Sequence, residues 1–342
     1  MLEDLSVSTL CYDDILLVPG SSRIESRSDI QLVSKLGNPG NPDGIITIPN
    51  PICIAPMEFI SSTEMLCNIE QLGGMGFIHR FQDLDKKISQ YEDIKSISGG
   101  ERIGIAIGPS EINLDSVNKI IKSRCRIILI DIPFSHTSHA VDCVKKLRAL
   151  VPSYIHIMIG NTSSVDSYLE LMSAGADSVR IGIGGGAACT TRTATGFGVP
   201  VLGSVMDIYS HVEDDDVNGI VADGGVKSNG DIVKALAAGA SVVMMGSLFA
   251  GYDESGERFR GLASEEMQLD NFNVEDRAKM HVEGVSGIVD ARGPARVGIQ
   301  RMINDIKSGL SYVGADNLDL FRYRVKFIKV SPQSLLESKS RI

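Results

Sequence analysis

The run Gly219-Ile220-Val221-Ala222-Asp223-Gly224-Gly225-Val226-Lys227-Ser228-Asn229-Gly230-Asp231-Ile232-Val233-Lys234-Ala235-Leu236-Ala237-Ala238-Gly239-Ala240-Ser241-Val242-Val243-Met244-Met245-Gly246 contains one complete strand–helix–strand unit. Residues 219–223 and 242–246 are short and β-rich. Between them a helix begins near Ser228-Asn229, buries Ile232, Val233 and Leu236, and stops at Gly239. The same alternation extends toward the N-terminus. Six more β-rich runs fall at 52–55, 75–79, 103–107, 127–131, 155–159 and 178–183, at intervals that leave room for one helix between neighbours. Several are apolar on both faces, as strands are when helices cover them. Within one interval, Ser135 or Ser138 is the expected cap of a helix carrying Ala140, Val141, Val144, Leu147 and Leu150, with Pro152 just beyond its end. Eight such units predict a parallel (β/α)8 TIM barrel, because an open doubly wound sheet normally uses fewer strands.

The 342 residues, 43% of them hydrophobic, suffice for a large core. No Pro/Ser-rich or low-complexity linker divides them, so residues 1–342 read as a single barrel domain with extensions at both ends. A net charge of -10 opposes a general nucleic-acid or anionic-membrane surface, so a bound phosphate has to be held locally by backbone amides. No apolar run approaches the roughly 18 residues that span a bilayer, and Met1-Leu2-Glu3-Asp4 lacks a basic start. A cytoplasmic location is therefore expected; the terminal Ser340-Arg341-Ile342 only weakly resembles a peroxisomal address. The cysteines at 11, 53, 67, 125, 143 and 189 are scattered without metal-ligand or disulfide-scaffold spacing and read as free thiols. The acidic run Glu213-Asp214-Asp215-Asp216 reads as a solvated loop rather than a cation site.

Chemistry concentrates where the last three strands end. Gly182 to Gly186, Asp223-Gly224-Gly225 and Gly246-Ser247 form three glycine-rich turns, expected on one barrel face where late loops hold phosphate through N–H groups. A carboxylate such as Asp223 at a strand end suits ribose hydroxyls, although capping its own turn is an equally good reading of the residue alone. Cys189 follows the first turn, with hydroxyls at Thr190 and Thr191 and a cation at Arg192. Thiolate is the competent nucleophile, and nearby amides and a guanidinium suit it. A cysteine in isolation is more often a small buried hydrophobe.

Together, Tyr12-Asp13-Asp14-Ile15-Leu16-Leu17-Val18-Pro19, Ala55-Pro56-Met57, Gly73-Gly74-Met75-Gly76-Phe77-Ile78-His79, Gly160-Asn161, the Cys189 loop, Ala222-Asp223-Gly224-Gly225 and Met244-Met245-Gly246-Ser247 resemble the IMP dehydrogenase/GMP reductase family, in matching order. The resemblance runs from about residue 8 to about residue 337. It implies a purine mononucleotide substrate, a covalent intermediate on Cys189 at purine carbon 2, and a nicotinamide cofactor stacked on the base. By the same resemblance, Gly186, Asp223, Gly224, Gly225, Gly246 and Ser247 contact substrate phosphate and ribose, while Thr191 and Glu283 serve proton transfer. Asp131 and Asn161 lie near the cofactor. The carbonyls of Gly184, Gly186 and Cys189 match a monovalent-cation site, implying K+, and the family implies a homotetramer.

Within the family, the reductase branch, with NADPH as cofactor, fits better. The segment from Arg80 to Arg102 is too short for the regulatory insert of many dehydrogenases. The stretch from Ser264-Glu265 to Val282-Glu283 lacks the Arg-Tyr pair that activates the hydrolytic water, and Arg322-Tyr323 falls beyond the barrel. Cys189-Thr190-Thr191-Arg192, Ser26-Arg27-Ser28-Asp29 and Tyr312-Val313-Gly314-Ala315 are reductase-like. Against that stand Ala187 in place of a phosphate-binding serine, Met57-Glu58-Phe59-Ile60, Gly261-Leu262-Ala263-Ser264, and a dehydrogenase-like tail at 331–338. Losing one neutral hydroxyl contact costs only about 0.5–1.5 kcal/mol. The expected reaction is reductive deamination of GMP, or a close purine nucleotide, to IMP and ammonia. An IMP dehydrogenase lacking the insert and a non-catalytic nucleotide-binding barrel are the alternatives.

Overall fold

A computed structural model describes residues 9–212, 217–256, 258–260 and 284–337. The strands β1 (Ile52–Ile54), β2 (Met75–Ile78), β3 (Ile103–Ile107), β4 (Ile127–Asp131), β5 (His156–Thr162), β6 (Ser178–Ile181), β7 (Ile220–Asp223) and β8 (Val242–Met245) form a closed barrel. Each pairs in parallel with its neighbour in sequence, and β8 closes the ring on β1 through Val243–Ile52, Met244–Cys53 and Met245–Ile54. Every residue of β3 and β4 is buried, which accounts for the apolar run of β3 and of β4 up to Asp131. The covering helices are α1 (Thr63–Gln71), α2 (Leu84–Ser98), α3 (Leu114–Ser123), α4 (Ser138–Leu150), α5 (Val165–Ser173), α6 (Val201–Tyr209), α7 (Asn229–Ala237) and α8 (Ala295–Ser311). This is the (β/α)8 TIM barrel expected from the alternation.

The strand–helix–strand unit at 219–246 folds as expected. The Ser228 hydroxyl caps α7 by accepting from the Asp231 amide, and Asp231 returns a carboxylate bond to the Ser228 amide. The cap of α4 differs from expectation. It is Thr137, which accepts from the Ala140 amide; Ser138 is the first helical residue, and Ser135 instead donates its hydroxyl to the Asn161 carbonyl. Strand ends also move. β5 runs on to Thr162, past the expected end at 159, because Gly160 still pairs with Asp131 of β4 and Thr162 with Ile181 of β6. β6 stops at Ile181, two residues short of the expected end at 183.

Outside the barrel, residues Ile15–Val18 pair antiparallel with Lys326–Lys329. All six cysteines are free thiols. No helix among the described residues is long and apolar enough to cross a membrane, and the acidic run 213–216 lies outside the described residues.

Candidate active site

Parallel strands bring their carboxyl ends to one face, and that face collects almost every residue singled out in the sequence. Asp131 is the last residue of β4, Asn161 lies near the end of β5, and Asp223 ends β7. The Cys189 loop follows β6, and Gly246-Ser247 follow β8. Two of the three glycine turns touch: the Gly225 amide donates to the Gly185 carbonyl at 2.7 Å. Gly224 and Gly225 have φ of 98° and 76°, a region that disfavours side chains. A Cβ on Gly224 would also approach the backbone of Gly185 and Gly186 to 3.1 Å. Gly246 and Ser247 come just after the adjoining strand β8, where Asp223 pairs with Met244.

Cys189 is half-buried, and its thiol donates to the Thr191 hydroxyl at 3.1 Å. Its amide donates to the Gly186 carbonyl at 3.0 Å, folding the loop into a tight turn. The loop is braced from the far side: Cys189 bridges Gly284, and the Val285 amide donates to the Ala188 carbonyl at 2.9 Å. Glu283, the residue before Gly284, lies outside the described residues. The cation expected beside the thiol goes elsewhere. Arg192 donates to the Val199 carbonyl at 3.1 Å, and its side chain packs on Gly184 and Gly198.

Asp131, Asn161 and Asp223 are not independent groups. One guanidinium, that of Arg180 on β6, donates to Asp131 Oδ1 at 2.6 Å and, through Nη2 and Nε, to Asp223 Oδ2 at 2.9 and 3.1 Å. Asn161 Nδ2 donates to the same Asp223 oxygen at 2.8 Å and to the Gly182 carbonyl at 2.9 Å. Arg80, just after β2, donates to Asp131 Oδ2 at 3.1 Å. Burial works against the charge on Arg180, but Asp223 and Asp131 outweigh it and keep the guanidinium protonated. The sequence reading missed Arg180 and Arg80. An arginine between Val179 and Ile181 in a buried strand was the available signal, since buried guanidinium needs buried carboxylate.

Among the described residues no cluster of three or more His, Cys, Asp or Glu is placed to hold a metal ion. The carbonyl set of Gly184, Gly186 and Cys189 is a different kind of candidate. One of its members, the Gly186 oxygen, already accepts the Cys189 amide and has one lone pair left.

Known proteins with this architecture narrow the chemistry. The chain is 31% identical over 315 residues to an inosine-5'-monophosphate dehydrogenase from Aquifex aeolicus, covering 86% of this chain and 64% of that protein. It therefore spans somewhat under two thirds of the length of the first dehydrogenase it matches. A GMP reductase from Leishmania major is 28% identical over 365 residues, covering 99% of this chain and 72% of that one. The crystal structure of a GMP reductase from Trypanosoma brucei in complex with guanosine 5'-monophosphate superposes with a TM-score of 0.85 over 97% of this chain and 98% of that one. At 20% identity that likeness bears on the fold alone. Relatives under both names thus match this chain, and the family model of the IMP dehydrogenase / GMP reductase domain matches residues 9–341, nearly the whole sequence. The chain belongs to the IMP dehydrogenase / GMP reductase family.

Proposed function

We propose that the protein reductively deaminates GMP, or a close purine nucleotide, to IMP and ammonia through a covalent bond to Cys189, with NADPH as reductant. The observation that carries this reading is the paired Cys189 thiol and Thr191 hydroxyl, 3.1 Å apart, on a glycine-rich turn at the carboxyl face of the barrel. Cys189 as thiolate adds to carbon 2 of the purine, and the 2-amino group leaves from that carbon. Amide ion is a poor leaving group, so the nitrogen needs a proton as the carbon–nitrogen bond breaks and ammonia departs; Thr191 relays that proton together with Glu283. A bound nicotinamide supplies the hydride that replaces sulfur at carbon 2. Release of Cys189 then gives the 6-oxopurine without its 2-amino group; GMP, NADPH and H+ balance IMP, NADP+ and NH3.

The turns at Gly186, Gly224, Gly225, Gly246 and Ser247 hold phosphate and ribose through one hydroxyl and backbone amides other than that of Gly225, which already donates to Gly185, with Asp223 on the ribose. Asp131 and Asn161 fit a dinucleotide as members of a rigid cluster. Each Asp131 oxygen accepts one guanidinium bond and keeps further acceptor capacity. A monovalent cation on the Gly184, Gly186 and Cys189 carbonyls belongs to the same proposal.

A dehydrogenase converting IMP is the second reading, favoured by the names of most matched relatives. Compact length does not separate the two. The Leishmania reductase also extends beyond what this chain covers, just as the Aquifex dehydrogenase does. The test is absorbance at 340 nm with ammonia measured in parallel. GMP with NADPH should lower the absorbance and release ammonia. A rise from IMP with NAD, and no ammonia from GMP, would reverse the assignment while leaving the Cys189 chemistry in place.

A further inference from the structure

Among the described residues, the Asp223 carboxylate is bonded through one oxygen only. Asn161 and both Arg180 donors converge on Oδ2, and among the described residues nothing bonds Oδ1. A carboxylate held by three donors on one oxygen cannot rotate freely, so its second oxygen has a fixed direction. The clamp is itself tightly seated. The Arg180 side chain is 7% exposed, against 8% for Asp131 and 15% for Asp223. Space for it is left by Gly160 on β5, where any Cβ would collide with Cβ of Arg180 and crowd its backbone. This gives the glycine of Gly160-Asn161 a physical task.

We propose that Arg180 is a positioning residue for nucleotide recognition, pinning Asp223 Oδ2 so that Oδ1 is presented to the sugar and, through Asp131, tying that geometry to the cofactor side of the barrel mouth. The inference rests on the reading of Asp223 as the ribose acceptor. Arg180 itself touches neither ligand in this account. Its effect is on selectivity: a correctly aimed carboxylate distinguishes a ribose hydroxyl from its absence, whereas a freely rotating one does so poorly. A residue that only stabilised the barrel would weaken all nucleotides alike.

Selectivity can be read without turnover. Titration calorimetry with GMP, 2′-deoxy-GMP and 3′-deoxy-GMP should show the native protein preferring the ribonucleotide by about tenfold or more, the scale of one charge-assisted hydrogen bond. Arg180→Met should reduce that ratio to about threefold or less. Arg180→Lys keeps the charge but lacks the planar fork that grips two carboxylates, so it should give an intermediate ratio. It also tests the point if the methionine variant does not fold. A folded Arg180→Met or Arg180→Lys protein with the native ratio would overturn the proposal. Asp223→Asn separates the two layers of the argument: if it keeps the native ratio, the ribose assignment itself fails. If it loses the ratio while the Arg180 variants keep it, only the positioning role fails.

Discussion

Removing the nucleophile should separate chemistry from binding more cleanly than any other change at this site. In Cys189→Ala the lost sulfur makes, among the described residues, one hydrogen bond, to Thr191 at 3.1 Å, from a half-buried position. The bonds that shape the loop, from the Cys189 amide to Gly186 and from Val285 to the Ala188 carbonyl, are backbone bonds and survive. One modest hydrogen bond is worth about 0.5–1.5 kcal/mol, which bounds the loss of stability and corresponds to at most about tenfold in nucleotide affinity. Turnover should fall by orders of magnitude, on the order of 10⁶-fold in comparable removals of a nucleophile, because the covalent step has no substitute. Cys11, the other half-buried cysteine, is a poor stand-in: burial first and then Asp14 push its thiol pKa up. Initial rates at 340 nm give the turnover, calorimetry the affinity, and intact-protein mass the adduct, which the variant should not form. Residual turnover above about 1% of native would remove Cys189 from the nucleophile's role, given the size of effect expected.

Two further expectations concern the scaffold. His156 is fully buried, with Nδ1 2.8 Å from the Gly44 carbonyl and Nε2 2.7 Å from the Ser178 hydroxyl; a carbonyl only accepts, so Nδ1 carries the proton and Nε2 accepts from serine. Desolvation lowers its pKa in the fold from the ordinary 6.5. Below about pH 6.5 the unfolded chain takes up a proton that the folded one refuses, so stability should fall with falling pH there. Urea midpoints should show His156→Gln reducing this slope by up to about 1.4 kcal/mol per pH unit; an identical slope in both proteins would refute the assignment. Tyr12 packs its ring against Gly225, and its buried hydroxyl has no hydrogen-bond partner among the described residues. Tyr12→Phe should therefore raise stability, by up to about 1–3 kcal/mol, the cost of leaving such a group unsatisfied. A lower melting temperature in the nucleotide-free variant would show that the hydroxyl is satisfied after all.

The barrel was legible because its signal is repeated: eight apolar runs, separated by lengths that admit one helix each, tolerate errors of a residue or two at any boundary. The caps were less so. Ser135, Thr137 and Ser138 all carry hydroxyls, and only the path of the chain decides which one meets the α4 amides. The site divides along a similar line. Glycine turns and Cys189 announce themselves locally, since the backbone conformation or the thiol is the function. Arg180 acts across strands, reaching from β6 to β4 and β7, and neighbouring residues in sequence give no hint of those partners. Once the three strand ends are brought together, however, the grouping follows from electrostatics alone. Two carboxylates reaching into a nearly dry barrel mouth call for a cation between them. Two acids read separately as a cofactor residue and a ribose residue thereby imply a third residue between them, and an arginine in a buried strand was the side chain in the sequence able to serve both.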